Sequence, residues 1–450
     1  MTRRTARGAQ GCLAKIGWVC YVDIVGKSKE WRDSFVRICM LTSSYPRHAD
    51  DGAGSFVRYL AKHLGRLGHE VHVVAPHDGG NPCPPHDERV AVTFFKYAPS
   101  SELRVFGYGR SLRSDVRLRP AVYLALGPFV TSALAAVLRT TTVHRCELIH
   151  AHWAVPSGFV GAVMSLALRL PLVVSLHGSD MYLSTTSHVA RLGAGMAFRW
   201  ANAVTACSQD LLDKAIRLGA SPATSWVIPY GVEVDAFTRS LDGIERTRQR
   251  LGVRKGELVV SAVGRLVTKK GFDYLLRAIP LIERQVQQPL RVILGGDGDL
   301  RQDLERLAAE QGVADRVVFT GPLAQSGVAD VLAASDVVAV PSIRDDWGNV
   351  DGLPVVLLEA MAAGRAVVAT RVGGIPMAVR DGENGILVAE RSSEELAQAI
   401  VRLLESPELR RSLGGSARTS VETHFTWAAL AQAYDRVYSV CRVRGARVLG

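Results

Sequence analysis

The sequence lacks the signals that would place it in several large classes. Its seven cysteines (Cys12, Cys20, Cys39, Cys83, Cys146, Cys207 and Cys441) form no Cys-x-x-Cys pair, and their number is odd. That argues against a disulfide framework or structural zinc and for a reducing compartment, so a cytoplasmic location is expected. No Gly-x-Gly-x-x-Gly follows the first strand-like run with an acid at the end of the next, which disfavours a Rossmann dehydrogenase. Helix-turn-helix, RNP and zinc-ligand patterns are missing, so no nucleic-acid partner is expected. No low-complexity tract or short repeat stands out. Long clean apolar runs are also scarce. Residues 1–10 are basic and 11–25 partly apolar, as in a signal peptide, but Lys15 and Asp23 interrupt the run and no small-residue cleavage site is clear. Residues 121–138 are apolar enough to be weighed as a membrane span. Gly127-Pro128 breaks that run and it is short for a bilayer crossing, so a buried helix is expected.

What the chain does contain is globular in character. Of its 450 residues, 48% are hydrophobic and 22% charged, too long a chain for one ordinary core, which suggests two domains of α/β size. A net charge of +11 favours anionic partners: a nucleotide, a phosphorylated lipid or an anionic membrane. The same excess also suits an Arg-rich, GC-biased proteome.

Residues 1–35 read as a basic extension of weak periodicity. The first convincing strand is 36–41. A loop, Asp50-Asp51-Gly52-Ala53-Gly54-Ser55, then leads into a helix with Phe56, Val57, Leu60, Leu64 and Leu67 at helical spacing, and a strand follows at 70–75. This is a βαβ unit whose Gly-rich turn either approaches an anion or serves close packing. Arg104, Arg110, Arg113, Arg117 and Arg119 interleave with Leu103, Phe106, Leu112 and Leu118. That pattern fits a basic surface lying on an anionic membrane, or a solvated helix face. A strand at 171–176 ends in His177-Gly178-Ser179-Asp180. Ligands of open α/β sheets bind at strand C-terminal ends, and the glycine after His177 leaves room for one. His150 and His152 stand at a similar edge. A strand running into a turn at 226–232 marks the change of domain, which is placed at 222/223.

The second half restarts βα alternation. A strand at 258–263 leads into Gly264-Arg265-Leu266-Val267-Thr268-Lys269-Lys270-Gly271. Arg265 offers a planar fork and Lys270 a point charge to a diphosphate, against the alternative of two solvated loop cations. Asp297 and Asp299 look like a metal-binding Asp-x-Asp pair. They read instead as a turn before a helix, because no further ligand is spaced to complete a hard-cation site; no metal is expected. The most informative stretch is 340–364, a strand, a loop and a helix. Pro354 sits where a first helical turn starts and Gly364 where the helix stops. Such a helix start holds a phosphate on its free N–H groups. Asp351 and Glu359 flank it. A phosphate repels carboxylates, so these two suit hydroxyl donors of a sugar and a ribose.

Two such halves facing a cleft resemble the GT-B architecture. The motifs are similar to those of the retaining glycosyltransferases of family 4 (glycosyltransferase group 1 type), which include phosphatidylinositol mannosyltransferases and enzymes building capsular and exopolysaccharide. The resemblance covers roughly residues 36–440. It implies an N-terminal Rossmann-like domain at 36–222 on the acceptor side, a donor-side domain at 223–424, and a crossover helix and tail at 425–450. Glu359 matches the family's ribose-binding glutamate. Asp351 falls on the position of the glutamate eight residues earlier, which implies contact with the donor sugar through a side chain one methylene shorter. The N–H groups of Leu353, Val355 and Val356 face the distal phosphate. Arg265 and Lys270 match the diphosphate-binding pair, and His177 the active-centre histidine, with Asp180 completing its His-Gly-x-Asp pattern. Gly52 matches one glycine of the N-terminal Gly-Gly loop, and Asp51 occupies the place of the other.

The implied activity is transfer of a sugar from a nucleoside diphosphate sugar to a hydroxyl acceptor, with retention of configuration and with neither metal nor resident cofactor. The acceptor is expected to be a glycolipid, a polysaccharide or a small molecule. The basic segment from Arg104 to Arg119 and the apolar helices suggest one that is lipid-linked or membrane-proximal, at the inner face of the plasma membrane. A nucleotide-sugar epimerase or hydrolase on the same fold is the alternative. A non-catalytic nucleotide-sugar or membrane-binding protein is disfavoured by the joint presence of Arg265, Lys270, His177 and Glu359.

Overall fold

The computed structural model describes residues 35–80, 82–100, 103–108, 112–113 and 117–448. The basic extension up to residue 34 and Arg110 lie outside the described residues. Fifteen strands are present among those described: β1 Arg37–Leu41, β2 Glu70–Pro76, β3 Val90–Phe95, β4 Leu112–Arg113, β5 Arg117–Leu118, β6 Leu148–His152, β7 Leu172–Leu176, β8 Ala203–Ala206, β9 Ser225–Val227, β10 Leu258–Val263, β11 Leu290–Gly295, β12 Val317–Phe319, β13 Val337–Val340, β14 Ala366–Thr370 and β15 Ile386–Val388.

Two parallel sheets carry the molecule. The first runs β3-β2-β1-β6-β7-β8-β9 and the second β12-β11-β10-β13-β14-β15. Their central strands are near-continuous apolar runs, as parallel strands covered by helices on both faces must be. Met40, Ile149, Val174, Val260 and Ile293 are all inaccessible to solvent. Each sheet reverses its order beside its first strand, so a crevice opens there at the carboxyl ends.

Several elements differ from what the sequence suggests. Strand β9 pairs with β8, so the first sheet reaches past the boundary placed at 222/223. The segment from Arg104 to Arg119 forms no helix where it is described. Strands β4 and β5 make a two-residue antiparallel ladder, and Arg104 folds back onto the carbonyls of Ala98 and Pro99. Gly127-Pro128 does not break the apolar run either: one helix spans Ala121–Val143. Proline removes a single hydrogen bond, here the one that the Leu124 carbonyl would accept, and Leu124 lies 75% exposed to water. This helix is also not buried as expected. Val122, Phe129, Ala133 and Val137 pack inward, while Tyr123, Leu124, Leu138 and Val143 stand outside.

The last helix, Trp427–Val448, returns to the first sheet and packs against the helix Ser55–Arg66 and strand β7. Polar groups fix it there. The Tyr438 hydroxyl meets His150 Nδ1 at 2.8 Å, and His150 Nε2 meets the Ser175 hydroxyl at 2.7 Å. Ser175 also bonds to Thr205 at 2.6 Å and to the Tyr434 hydroxyl at 3.2 Å. All five side chains are buried, so each hydrogen bond replaces hydration that folding removed.

Replacing Tyr438 by Phe strips His150 Nδ1 of its partner at constant shape. The expected loss is about 1–3 kcal/mol, read as a lowered urea midpoint, whereas Tyr→Phe at the exposed Tyr123 leaves the midpoint in place.

Candidate active site

On the first domain the cleft edge is built where β7 ends. His177 leaves the strand and Gly178, at φ +116°, turns the chain into the helix Ser179–Thr186. The Asp180 carboxylate accepts from the backbone N–H groups of Ala154 and Gly178, both at 2.9 Å, and of His177 at 3.3 Å. Burial raises its pKa and those N–H groups oppose the rise. Asp180 thus pins two loops together. The His177 ring is held on both nitrogens: Nε2 lies 3.0 Å from His152 Nδ1, and Nδ1 lies 2.8 Å from the Tyr230 hydroxyl. Phe56 and Trp153 close around it, with ring centroids 4.6 and 4.8 Å away. Burial pushes His152 down to about 3, and burial together with the neighbouring His152 holds His177 well below the usual histidine range. His177 is therefore a neutral, fixed ring. A group docking at this edge meets the His177–Gly178 backbone and the aromatic wall beside it.

The Gly-rich turn before the helix Ser55–Arg66 is organised by Asp51. Its carboxylate accepts from the N–H groups of Arg47 and Ala53, both at 3.0 Å, and pairs with the Arg47 guanidinium. Burial works against the charge, but these partners hold Asp51 below the ordinary carboxylate range. The stringent glycine here is Gly54. At φ +68° its Cβ would lie 2.2 Å from the Ser44 carbonyl oxygen. Around Gly52 no atom stands within 4 Å of such a Cβ, so its lack of a side chain leaves open space in the cleft.

Strand β10 ends at Val263, and the next residues carry Arg265, exposed at the mouth of the cleft. Lys269 and Lys270 lie in the turn Thr268–Lys270. Both reach Asp351: Lys270 Nζ is 2.6 Å from Oδ2 and Lys269 Nζ is 3.4 Å from Oδ1. The Ser342 hydroxyl adds a contact at 3.4 Å. Sequence gave Lys270 to a diphosphate and Asp351 to a sugar; the structure joins them as one ion pair, with Lys269 as a third member. The loop carrying Asp351 is fixed from below by Gly373, whose φ of +58° places a would-be Cβ 2.2 Å from the Asp351 carbonyl oxygen.

Pro354 stands one residue ahead of the first helical turn rather than in it, and the helix runs Val355–Ala362. Leu357 N–H bonds back to the Pro354 carbonyl at 3.1 Å. The N–H groups of Val355 and Val356 precede the first intrahelical bond and, with that of Leu353, have no acceptor among the described residues. At the other end Gly364, at φ +66°, closes a Schellman motif: Gly364 N–H bonds to Met361 and Arg365 N–H to Ala360.

The two edges approach each other closely. A Cβ on Gly178 would lie 3.7 Å from Gly352 N, and one on Gly352 would lie 2.6 Å from Cys207 Sγ. Tyr59 donates to Gln325 across the domains at 2.6 Å, and Arg344 meets Asp210 at 3.3 Å. Glu359 lines a crevice of about 10 Å³ with Tyr59, Glu233, Gln325 and Trp427, room for roughly one water. A far larger cavity of about 800 Å³ has Gly52, Asp180 and Arg265 among its lining residues. Sequence did not single out Lys269, Tyr230, Phe56 or Trp153. Lys269 was detectable as the neighbour of Lys270, but the aromatic groups come from distant segments and leave no local pattern.

Burial raises the Glu359 carboxyl from 4.5 to about 7, with Lys270 opposing the rise. An acid raised on folding contributes stability that is complete below its unfolded value and is lost as pH climbs through the folded one. Glu359→Gln therefore stabilises the protein relative to the native chain on the alkaline side of about 7, by on the order of 2–3 kcal/mol. Thermal midpoints of both proteins across that range check this, and the two curves converge toward acid pH.

Comparison with known proteins matches this arrangement. Residues 51–236 match the pattern described as Glycosyltransferase Family 4, and residues 243–420 that of Glycosyl transferases group 1. The D-inositol 3-phosphate glycosyltransferase of Corynebacterium aurimucosum is 33% identical over 314 residues, covering 65% of this chain and 71% of that protein. A putative teichuronic acid biosynthesis glycosyltransferase of Bacillus subtilis is 28% identical over 421 residues, covering 90% and 98%. Among solved structures, Anabaena HepE in complex with UDP-glucose superposes with a TM-score of 0.69 at 25% identity, over 90% of this chain and all of that one. Sucrose-phosphate synthase from Thermosynechococcus elongatus shares the fold, with a TM-score of 0.73 at 23% identity over 90% of this chain and 98% of that one. The two facing parallel-sheet domains are the GT-B fold, and the chain belongs to the family 4, group 1 glycosyltransferases.

Proposed function

We propose that this glycosyltransferase moves a hexose from a nucleoside diphosphate sugar, with UDP as the carrier, to a hydroxyl acceptor, retaining the anomeric configuration and using no metal. The observation that carries this reading is the meeting of the Asp351–Val356 segment with the His177–Gly178 turn, with Lys270 bonded to Asp351. UDP-glucose bound to HepE supports the choice of donor class.

In this reading Arg265, Lys270 and the N–H groups of Leu353, Val355 and Val356 take up the charge that develops as the diphosphate departs. The acceptor oxygen bonds to the anomeric carbon as the bond from that carbon to the diphosphate breaks. The electron pair leaves on the diphosphate, whose oxygen takes the acceptor proton. Asp351 accepts hydroxyls of the sugar while remaining paired to Lys269, and Glu359 accepts those of the ribose. His177 and Asp180 act by fixing the cleft edge against which the sugar lies. Gly52 leaves its side-chain space to substrate. Disulfide-free Cys39, Cys83, Cys146 and Cys207 suit a reducing, cytoplasmic setting.

The test is incubation with UDP-sugars and candidate acceptors in the presence of a chelator, with the anomeric proton of the product read by NMR. Arg265→Ala and Lys270→Ala are each expected to lower kcat by about 10²–10³-fold with the fold intact. Turnover that survives both changes, or that requires a divalent ion, overturns the assignment. Conversion of the donor without acceptor identifies an epimerase or hydrolase instead.

A further inference from the structure

The acceptor is the open half of the reaction, and the large cavity bears on it. Gly52, Gly54, Asp180 and Arg265 line it together with Phe106, Val122, Leu126, Val130, Phe159 and Leu183, and Tyr123, Val189, Leu192 and Met196, which also line it, are exposed to solvent. Its volume of about 800 Å³ is that of a ligand site, not a packing defect. Apart from Asp180, Arg265, two tyrosines and a few serines its wall is apolar, a poor match for a free sugar or a polysaccharide chain that needs hydroxyl partners along its whole length.

The surface around the opening has the same character. Among the described residues thirteen large apolar side chains are exposed, and nine of them lie on three helices, Ala121–Val143, Phe159–Leu168 and His188–Trp200. These helices pack side by side. Leu124 is 75% and Leu192 73% exposed. The three contain no Asp or Glu; their charged residues are Arg139, Arg191 and Arg199, and none of these forms an ion pair among the described residues. An apolar face edged only by cations matches the hydrocarbon and the anionic headgroups of a bilayer together.

Building on the transferase reading above, we infer that the acceptor is a lipid-borne hydroxyl: its hydrocarbon chain fills this cavity while the three helices rest on an anionic membrane. The cavity is continuous with the cleft, so a chain lying in it leads its headgroup to Gly52 and Arg265. Entry is from the side that faces the membrane.

The test uses the full chain and alkyl glucosides of increasing length, ethyl, octyl and dodecyl, below their micelle concentrations. Affinity is expected to rise with length, by up to about fourfold per methylene buried. Leu192→Glu is expected to flatten that rise, and Tyr123→Ser, a second exposed position, to weaken it. Sedimentation with vesicles is expected for phosphatidylcholine containing phosphatidylglycerol and not for phosphatidylcholine alone, and is reduced by Leu192→Glu. Stabilisation by UDP reports on the fold and on the donor site separately. An affinity independent of chain length, with UDP still stabilising, overturns the lipid acceptor alone and points to a groove filled by the chain itself. A dimer dissolved by Leu192→Glu also overturns it, in favour of a second copy. Failure of UDP and UDP-sugars to bind instead strikes the transferase reading, whatever the alkyl series gives.

Discussion

A buried chain of hydrogen bonds holds the molecule together at its seam. Tyr438, His150, Ser175, Thr205 and Tyr434 link the last helix to three neighbouring strands of the first sheet. The last helix enters after the second domain is complete, so this network ties the final turns of the chain to its first half. Polar atoms sealed from water are costly when unpaired, and that cost gives the helix one seat. On the neighbouring row, His152, His177 and Tyr230 repeat the device one layer nearer the cleft. The cleft edge inherits its rigidity from the seam behind it.

Charge is treated differently on the two sides of the cleft. On the first domain, histidines are kept neutral and a carboxylate is saturated by backbone N–H groups, so that edge carries shape and hydrogen-bond direction with little net field. On the second, Lys269 and Lys270 meet Asp351 a few residues before a helix start, and Asp351 offsets part of their charge. On the reading proposed above, the field that stabilises a departing diphosphate is concentrated on that side, and the ion pairs with Asp351 lower the reorganisation needed when the anion arrives.

Much of this architecture can be read from sequence because parallel strands are buried on both faces, leaving apolar runs such as 258–263, and because glycines mark the turns between them. The Gly364 helix stop and the Gly-rich turn at 52–54 are of this kind. Other features depend on partners far along the chain. His177 takes its contacts from His152 and Tyr230, and the meeting of two adjacent lysines with Asp351 depends on a turn that no pattern encodes. Pro128 misleads because proline's cost depends on whether the lost bond faces water, and here it does. The edge strand β9 falls where the sequence reads a strand, at 226–232, but nothing local says which sheet it joins, so the first sheet extends past its expected end.

The crevice at Glu359 bears on affinity. It has room for about one water beside the Tyr59–Gln325 hydrogen bond, so on the reading proposed above it takes a ribose only in molecules where that contact is open. The measured grip on any nucleotide is then the intrinsic grip diminished by the fraction of molecules standing open. On that reading, changes at Tyr59 or Gln325 adjust how much donor the protein holds at a given concentration and leave untouched every group assigned to the sugar. On that reading donor affinity is adjusted at the Tyr59–Gln325 contact and donor identity at Asp351.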